Sequence, residues 1–296
     1  MSGISGLGGH LAPHLLARGH EVVGLSRDPR RVAADVPCVR ADAATGEGLD
    51  AAMRGIDVAY FLINTYERRN TEGFEARDRR VALNFATAAR NAGVGRVVYL
   101  GVPPASDPAR TSPHIRSRLE VEDILLTHVP GSVSIGTFTI VSPRSRSFRV
   151  IMRMLRTSPV IPLPPWRGHR TQPADIRDVF AALANAAELP ALAGRRLRVG
   201  GPETVTWDDL LRRVASRLPG RRAFVPLPRQ PPSLVLRLLT TVNGGDPALL
   251  LPLLESVNAG DVVLPANDFT TLGVTPRPLT QTIDDAVTEY LDGTWK

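Results

Sequence analysis

His114 and Arg118 stand four residues apart in the stretch SPHIRSR, a spacing that puts both on one face of a helix. An imidazole whose ordinary pKa lies near ~6.5 suits proton transfer at neutral pH. A guanidinium stays protonated and suits hydroxyl or anionic groups. The pair reads as a candidate proton donor beside a candidate anchor. The same residues also make a plain helix start, with Ser112 as N-cap and Pro113 at the first helical position, and that alternative involves no chemistry. Tyr66, just past Asn64, is a second group that could face a reacting centre, with simple packing as its alternative.

Gly3, Gly6 and Gly9 form G-x-x-G-x-x-G, with Ser5 and Leu7 between them. Residues 10–18 follow with apolar Leu11, Leu15 and Leu16 ahead of Gly19, which predicts a short helix closed by a glycine. Free amides and the positive end of the dipole at such a start suit a diphosphate, and glycines let the chain come close to it. The next predicted strand ends Ser26-Arg27, with Arg30 and Arg31 behind. Where an acid at this place takes ribose hydroxyls of NAD, an arginine offers a fork of donors to a 2′-phosphate. NADP(H) is therefore expected in preference to NAD(H). Asp28 could instead turn toward the hydroxyls, and an exposed loop arginine is the alternative for Arg27.

Several chemistries are disfavoured by what the sequence lacks. Of 36 Lys and Arg, the sole lysine is Lys296, so the glycine-lysine pair of a P-loop does not occur, and neither does G-x-S-x-G. Tyr60, Tyr66, Tyr99 and Tyr290 have no lysine four residues on. His10, His14 and His20 lack metal-ligand spacing, and His128 and His169 stand alone, so no metal site is expected.

The elements that must position these residues alternate. Strands are predicted over 21–25, 37–39, 57–63, 96–100 and 133–141, and helices over 71–92 and 112–127, a pattern that argues a parallel, doubly wound α/β sheet. A domain over 1–143 and a smaller lobe over 144–296, parts of which return to the sheet, are expected. Thr206 reads as an N-cap. The glycine loop comes right after Met1-Ser2, whereas a doubly wound sheet delivers such a loop from a central strand. Its absence would leave buried backbone groups unpaired at about 1–3 kcal/mol each, so about five to seven apolar residues are expected upstream.

Composition sets the class. With 296 residues and 43% hydrophobic content the chain can bury an ample core. The single Cys38 forms no internal bridge, and no basic-then-apolar leader pattern opens the sequence, so a reducing cytoplasm is the expected compartment. No run approaches ~18 uninterrupted apolar residues, so no transmembrane segment is expected. The net charge of +7 comes from arginines scattered among acids without a groove-binding motif, which argues against nucleic acid. Arg149, Arg153 and Arg156 share a helix face beside Ile151, Met152 and Leu155, read as a solvated face.

SGISGLGGHLAPHLLARGHEVVGLSRDP, then Asp42, DVAYFLIN, RVVYLG and SPHIRSRLEVEDIL, resemble the atypical extended short-chain dehydrogenase/reductases, and in particular their NmrA-like branch. The likeness covers most of the chain and is strongest over 3–143. It implies a Rossmann-type fold in which Gly3, Ser5, Gly6, Leu7 and Gly9 meet the diphosphate. Ser26 and Arg27 would meet the adenosine phosphate, Asp42 the adenine and Asn64 the far ribose. His114 and Arg118 stand where ordinary members carry Tyr-x-x-x-Lys, and the serine that follows the RVVYLG-type strand is also lacking, with Ser106 a weak stand-in. An oxidoreductase that passes hydride to or from a small apolar quinone, enone or carbonyl compound is expected, its pocket walled partly by 226–254. The main alternative is a non-catalytic NAD(P)-binding sensor acting through a protein partner. An isomerase or epimerase that retains its cofactor is a third.

Overall fold

The computed structural model describes residues 1–4, 6–32, 36–63, 73–105, 108–229, 257–258, 260–264 and 266–294. Asn64, Tyr66, Ser5, Ser106 and most of the 226–254 wall lie outside the described residues.

In chain order, helix α1 (Leu7–Leu16) leads to strands β1 (Gly24–Ser26) and β2 (Cys38–Arg40), short helix α2 (Leu49–Met53) and β3 (Val58–Phe61). Then come α3 (Phe74–Asn91), β4 (Arg96–Gly101), α4 (Pro113–His128) and β5 (Val133–Gly136). The later part holds β6 (Ile140–Val141), α5 (Arg146–Thr157), β7 (Val160–Leu163), β8 (Arg170–Thr171), β9 (Ala174–Asp175) and α6 (Ile176–Glu188). It ends with β10 (Arg196–Arg198), β11 (Val205–Thr206), α7 (Trp207–Ala215), β12 (Ala223–Pro226) and α8 (Leu279–Asp292).

The main sheet is parallel throughout. β1 pairs with β2, and β3, β4, β5 and β10 pair in that order. Met1–Gly3 lie between the two groups. The Met1 carbonyl accepts from Leu25 N at 2.9 Å, and Ser2 N donates to the Tyr60 carbonyl at 3.0 Å. Ser2 Oγ also donates to that carbonyl at 2.7 Å and accepts from Leu62 N at 3.1 Å. The central slot of the sheet is thus bridged by these three residues alone among the described residues. From it the chain steps outward to β1 and β2, then crosses to β3 and onward, the reversal that opens a crevice at the carboxyl ends of the strands.

Strand alternation explains the layers. Tyr60, Val98, Val133 and Ile135 face α1 and α6, with Leu11, Leu15, Val179 and Leu183. Ala59, Phe61, Val97 and Tyr99 face α3 and α4, with Val81, Phe85, Val121 and Leu125. Phe61 packs edge-on to Phe85 at 5.0 Å and Tyr99 at 5.8 Å, a geometry the ring quadrupoles favour. A third cluster joins Phe148, Met152 and Leu155 of α5 to Ile161, Leu163, Trp207, Leu210 and Ile283 in the later part of the chain.

Three expected elements are corrected. The helix expected over 10–18 begins at Leu7, with Gly6 as N-cap. The strand expected over 133–141 is two, because the chain leaves the main sheet after Gly136, and β6 pairs with β9 in a separate two-stranded sheet. The strand expected over 21–25 is shifted to Gly24–Ser26. The caps hold: Ser112 Oγ accepts from Ile115 N at 3.3 Å and Thr206 Oγ1 from Asp209 N at 3.1 Å. No helix of the described residues is long and apolar enough to cross a membrane.

Candidate nucleotide site

The head of α1 lies at the crevice. Gly3 has φ +68°, and a Cβ there would stand 2.5 Å from the Leu62 carbonyl oxygen. A Cβ on Gly9 would stand 2.5 Å from the Ile4 carbonyl oxygen. Glycine at these two places lets the loop turn beside β3 and lets the first turn of α1 pack on the strand stub. Gly6 differs: among the described residues a Cβ there would meet only the Gly3 carbonyl oxygen, at 3.6 Å, and no side chain caps the helix. The loop is pressed onto the protein on one side and open at Gly6, a cradle that fits a diphosphate at a helix N-terminus. His10, one turn in, is tied to the later part of the chain. Its Nδ1 accepts from Arg144 Nε at 3.3 Å, and Arg144 Nη1 donates to Glu289 at 2.6 Å. Burial first, then Arg144 and Arg149, lower the His10 pKa.

At the carboxyl ends of β1 and β2, Ser26 Oγ donates to the Asp28 carbonyl at 3.0 Å and accepts from Asp28 N at 3.2 Å. The Asp28 carboxylate accepts from Arg30 N and Nε at 3.3 and 3.1 Å. The carboxylate thus caps its own turn and pairs with Arg30 through Oδ1. Arg27 is exposed and has no hydrogen bond or ion pair among the described residues. Ala41 N donates to the Ser26 carbonyl at 3.0 Å, which sets Asp42 beside this end. Asp42 Oδ1 accepts from Ala44 N at 2.9 Å and so shapes its own turn.

At the carboxyl ends of β3 and β4, Arg118 is buried. Its Nη1 donates to the Ile63 carbonyl at 3.2 Å and Nη2 to the Leu100 carbonyl at 3.4 Å. The guanidinium lies 5.1 Å over the Tyr99 ring, and Asp78 is 3.9 Å away. Asp78, only 2% exposed, accepts from Ser117 Oγ at 2.8 Å. Sequence reasoning missed Asp78 because it sits in the charge run Arg77-Asp78-Arg79-Arg80. Its spacing to Val81, Ala82 and Phe85 on the apolar stripe of α3 was the available signal.

His114, one turn before Arg118, is half-buried with Nδ1 shielded from solvent. Burial, reinforced by Arg118 and opposed by Asp78, lowers its pKa to about 4. The expectation of an imidazole poised near neutrality is corrected, because the folded site disfavours the charged ring. His114 is neutral at pH 7.

This has a consequence for stability. The folded pKa lies below the unfolded ~6.5, so the unfolded chain binds the extra proton first as pH falls. The contribution is full above pH 6.5 and is lost as pH drops toward 4, up to about 3 kcal/mol in all. Denaturant unfolding at pH 7.5 and 4.5 is expected to show a smaller pH-dependent loss in His114→Gln than in wild type. Equal losses in both would contradict the assignment.

A doubly wound parallel sheet with a glycine loop at the head of its first helix defines the Rossmann-type NAD(P)-binding class. Residues 3–129 match the family described as NAD(P)H-binding. No curated protein matches in sequence. Among solved structures, Citrobacter sp. triphenylmethane reductase complexed with NADP(H) is 19% identical, covers 96% of this chain and 98% of its own, and has a TM-score of 0.75. MoeE5 in complex with UDP-glucose and NAD is 18% identical, with coverage of 100% and 98% and a TM-score of 0.74. A nucleoside-diphosphate-sugar epimerase from Staphylococcus aureus is 16% identical, with coverage of 96% and 98% and a TM-score of 0.71. At these identities the likeness is one of fold. The neighbours include complexes with NAD and with NADP(H) alike.

Proposed function

We propose that the protein is an NADP(H)-dependent oxidoreductase acting on a small apolar quinone, enone or carbonyl compound. The observation that carries this is the uncapped start of α1 over the open Gly6, in the part of the chain that matches the NAD(P)H-binding family. On this reading Gly3, Ser5, Gly6, Leu7 and Gly9 hold the diphosphate and Asp42 the adenine. Ser26 and the unengaged Arg27 hold the 2′-phosphate, and Asn64 the far ribose. Bound there, the cofactor supplies or takes up a hydride.

The chain's own residues do the rest. Arg118, with two donors spent on the Ile63 and Leu100 carbonyls, fixes the strand ends that floor the nicotinamide half. We assign it a positioning role. His114, neutral at pH 7, offers a ring N–H to a substrate oxygen rather than an imidazolium proton. Tyr66 is the remaining candidate to face the nicotinamide. Weak acid catalysis suits acceptors that take hydride directly, since a quinone or conjugated enone delocalises the charge it gains.

The test is to mix protein and NADPH with a panel of quinones, enones and aldehydes and follow the reduced-nicotinamide absorbance. Turnover without a rate inflection near pH 6.5 is the expected result. Tight NADPH binding with no turnover on any acceptor would overturn the enzyme in favour of a sensor that works through a protein partner.

A further inference from the structure

The chain passes from the sheet to the second lobe through Thr137, Phe138 and Thr139. Thr137 directly follows β5, and its backbone N donates to the carbonyl of Gly101, the last residue of β4, at 3.2 Å. It therefore sits on the carboxyl edge of the sheet, one residue along β4 from the Leu100 carbonyl that holds Arg118. Two residues on, the Thr139 hydroxyl pairs with Thr171 at 2.8 Å. Thr137 is 5% exposed, and its Oγ1 has no hydrogen-bond partner among the described residues.

A buried hydroxyl almost always finds a partner, so one without calls for an explanation. Three other such atoms lie elsewhere. Ser134 Oγ and Glu122 Oε1 belong to the layer between α4 and the sheet, and Trp166 Nε1 lies in the second lobe near Trp207. Among these four, Thr137 alone stands at the mouth of the crevice, where sheet and second lobe meet. A hydroxyl that the fold leaves dry and unpaired there is preorganised for a ligand acceptor, which recovers the bond that solvent no longer supplies.

We infer that Thr137 is a ligand-recognition residue whose hydroxyl donates to a carbonyl oxygen in the bound complex, belonging either to the cofactor's carboxamide or to the substrate. The inference rests on the proposed NADP(H) site. Deleting the donor is expected to weaken the complex and spare the free protein, whose hydroxyl is unpaired already.

The experiment compares wild type, Thr137→Val and Thr137→Ser by calorimetric titration with NADPH and with adenosine 2′,5′-bisphosphate, which lacks the nicotinamide. Thermal unfolding of each ligand-free protein and the KM for whichever panel acceptor turns over complete it. Thr137→Val is expected to match or exceed wild type in ligand-free melting temperature and to bind the bisphosphate equally. A drop of roughly tenfold in NADPH affinity, restored by Thr137→Ser, identifies the carboxamide as the acceptor. Unchanged NADPH affinity with a KM raised by a similar factor and restored by serine identifies the substrate. If NADPH affinity and KM are both unchanged, or both nucleotides weaken equally along with a lower melting temperature, the inference is overturned and the NADP(H) reading stands. Wild type that binds neither nucleotide would overturn both.

Discussion

Gly9→Ala is expected to destabilise the fold, whereas Gly6→Ala is expected to spare the fold and cripple nucleotide binding. At Gly9 the new Cβ would stand 2.5 Å from the Ile4 carbonyl oxygen. Backbone cannot swing aside as a flexible side chain can, so α1 would have to lift off the strand stub. Overpacking of this kind costs about 1–3 kcal/mol, and denaturant unfolding should show a loss within that range. At Gly6 the nearest atom a Cβ would meet among the described residues is 3.6 Å away, in ordinary van der Waals contact. The added methyl forces no clash there, so the melting transition should stay within about 1 kcal/mol of wild type. The methyl would instead occupy room assigned to the diphosphate, and NADPH affinity should fall by about tenfold or more, a loss of at least ~1.4 kcal/mol. Equal affinities in Gly6→Ala and wild type would place the nucleotide somewhere else. The two variants separate a glycine required by packing from one required by the ligand.

Arg27→Ala is expected to cost NADPH roughly 10- to 100-fold in affinity, the worth of a charge-assisted hydrogen bond of about 1.5–3 kcal/mol. NADH affinity should be unchanged, because NADH has no phosphate for the guanidinium to hold. Arg30 provides the internal comparison. Its Nε is already paired with the Asp28 carboxylate at 3.1 Å, so Arg30→Ala should have the smaller effect on NADPH. Raising the salt concentration should narrow the gap between wild type and Arg27→Ala, since Arg27 is solvent-exposed and its interaction is screened. If Arg27→Ala leaves the ratio of NADPH to NADH affinity where it was, the assignment of Arg27 to the 2′-phosphate is wrong.

The parts of this architecture governed by local chemistry were legible in the sequence. Ser112 and Thr206 mark helix starts because a side-chain oxygen accepts from the amide three residues on, and those bonds form. DVAYFLI and RVVYLG read as buried strands from composition alone, and their alternation sorts Tyr60 and Val98 from Phe61 and Tyr99 onto opposite helix layers. What depended on distant partners was not legible. The first turn of α1 contains Gly8 and Gly9, poor helix formers that read as loop. They are helical because only a residue without Cβ can pass the Gly3 and Ile4 carbonyls. The break after Gly136 was hidden in a continuous run of hydroxyl and apolar residues, with that glycine as its one mark.

The candidate site divides in the same way. The glycine loop and the Ser26-Arg27 strand end were legible because spacing along one chain segment defines them. The electrostatic state of His114 was not, since its burial and the charges of Arg118 and Asp78 set it. Nor was the use of Arg118 to hold two strand ends, which depends on where Ile63 and Leu100 finish. The pairing of Asp28 with Arg30 was hidden for a similar reason, because a local turn draws that carboxylate to its neighbour.

Direct titration of the wild-type protein with NADPH and NADH tests the central claim most plainly. Saturable binding of one nicotinamide nucleotide per chain, tighter for NADPH and abolished or sharply weakened in Gly6→Ala, is the predicted result. A folded wild-type protein that binds neither nucleotide would contradict the account at its root.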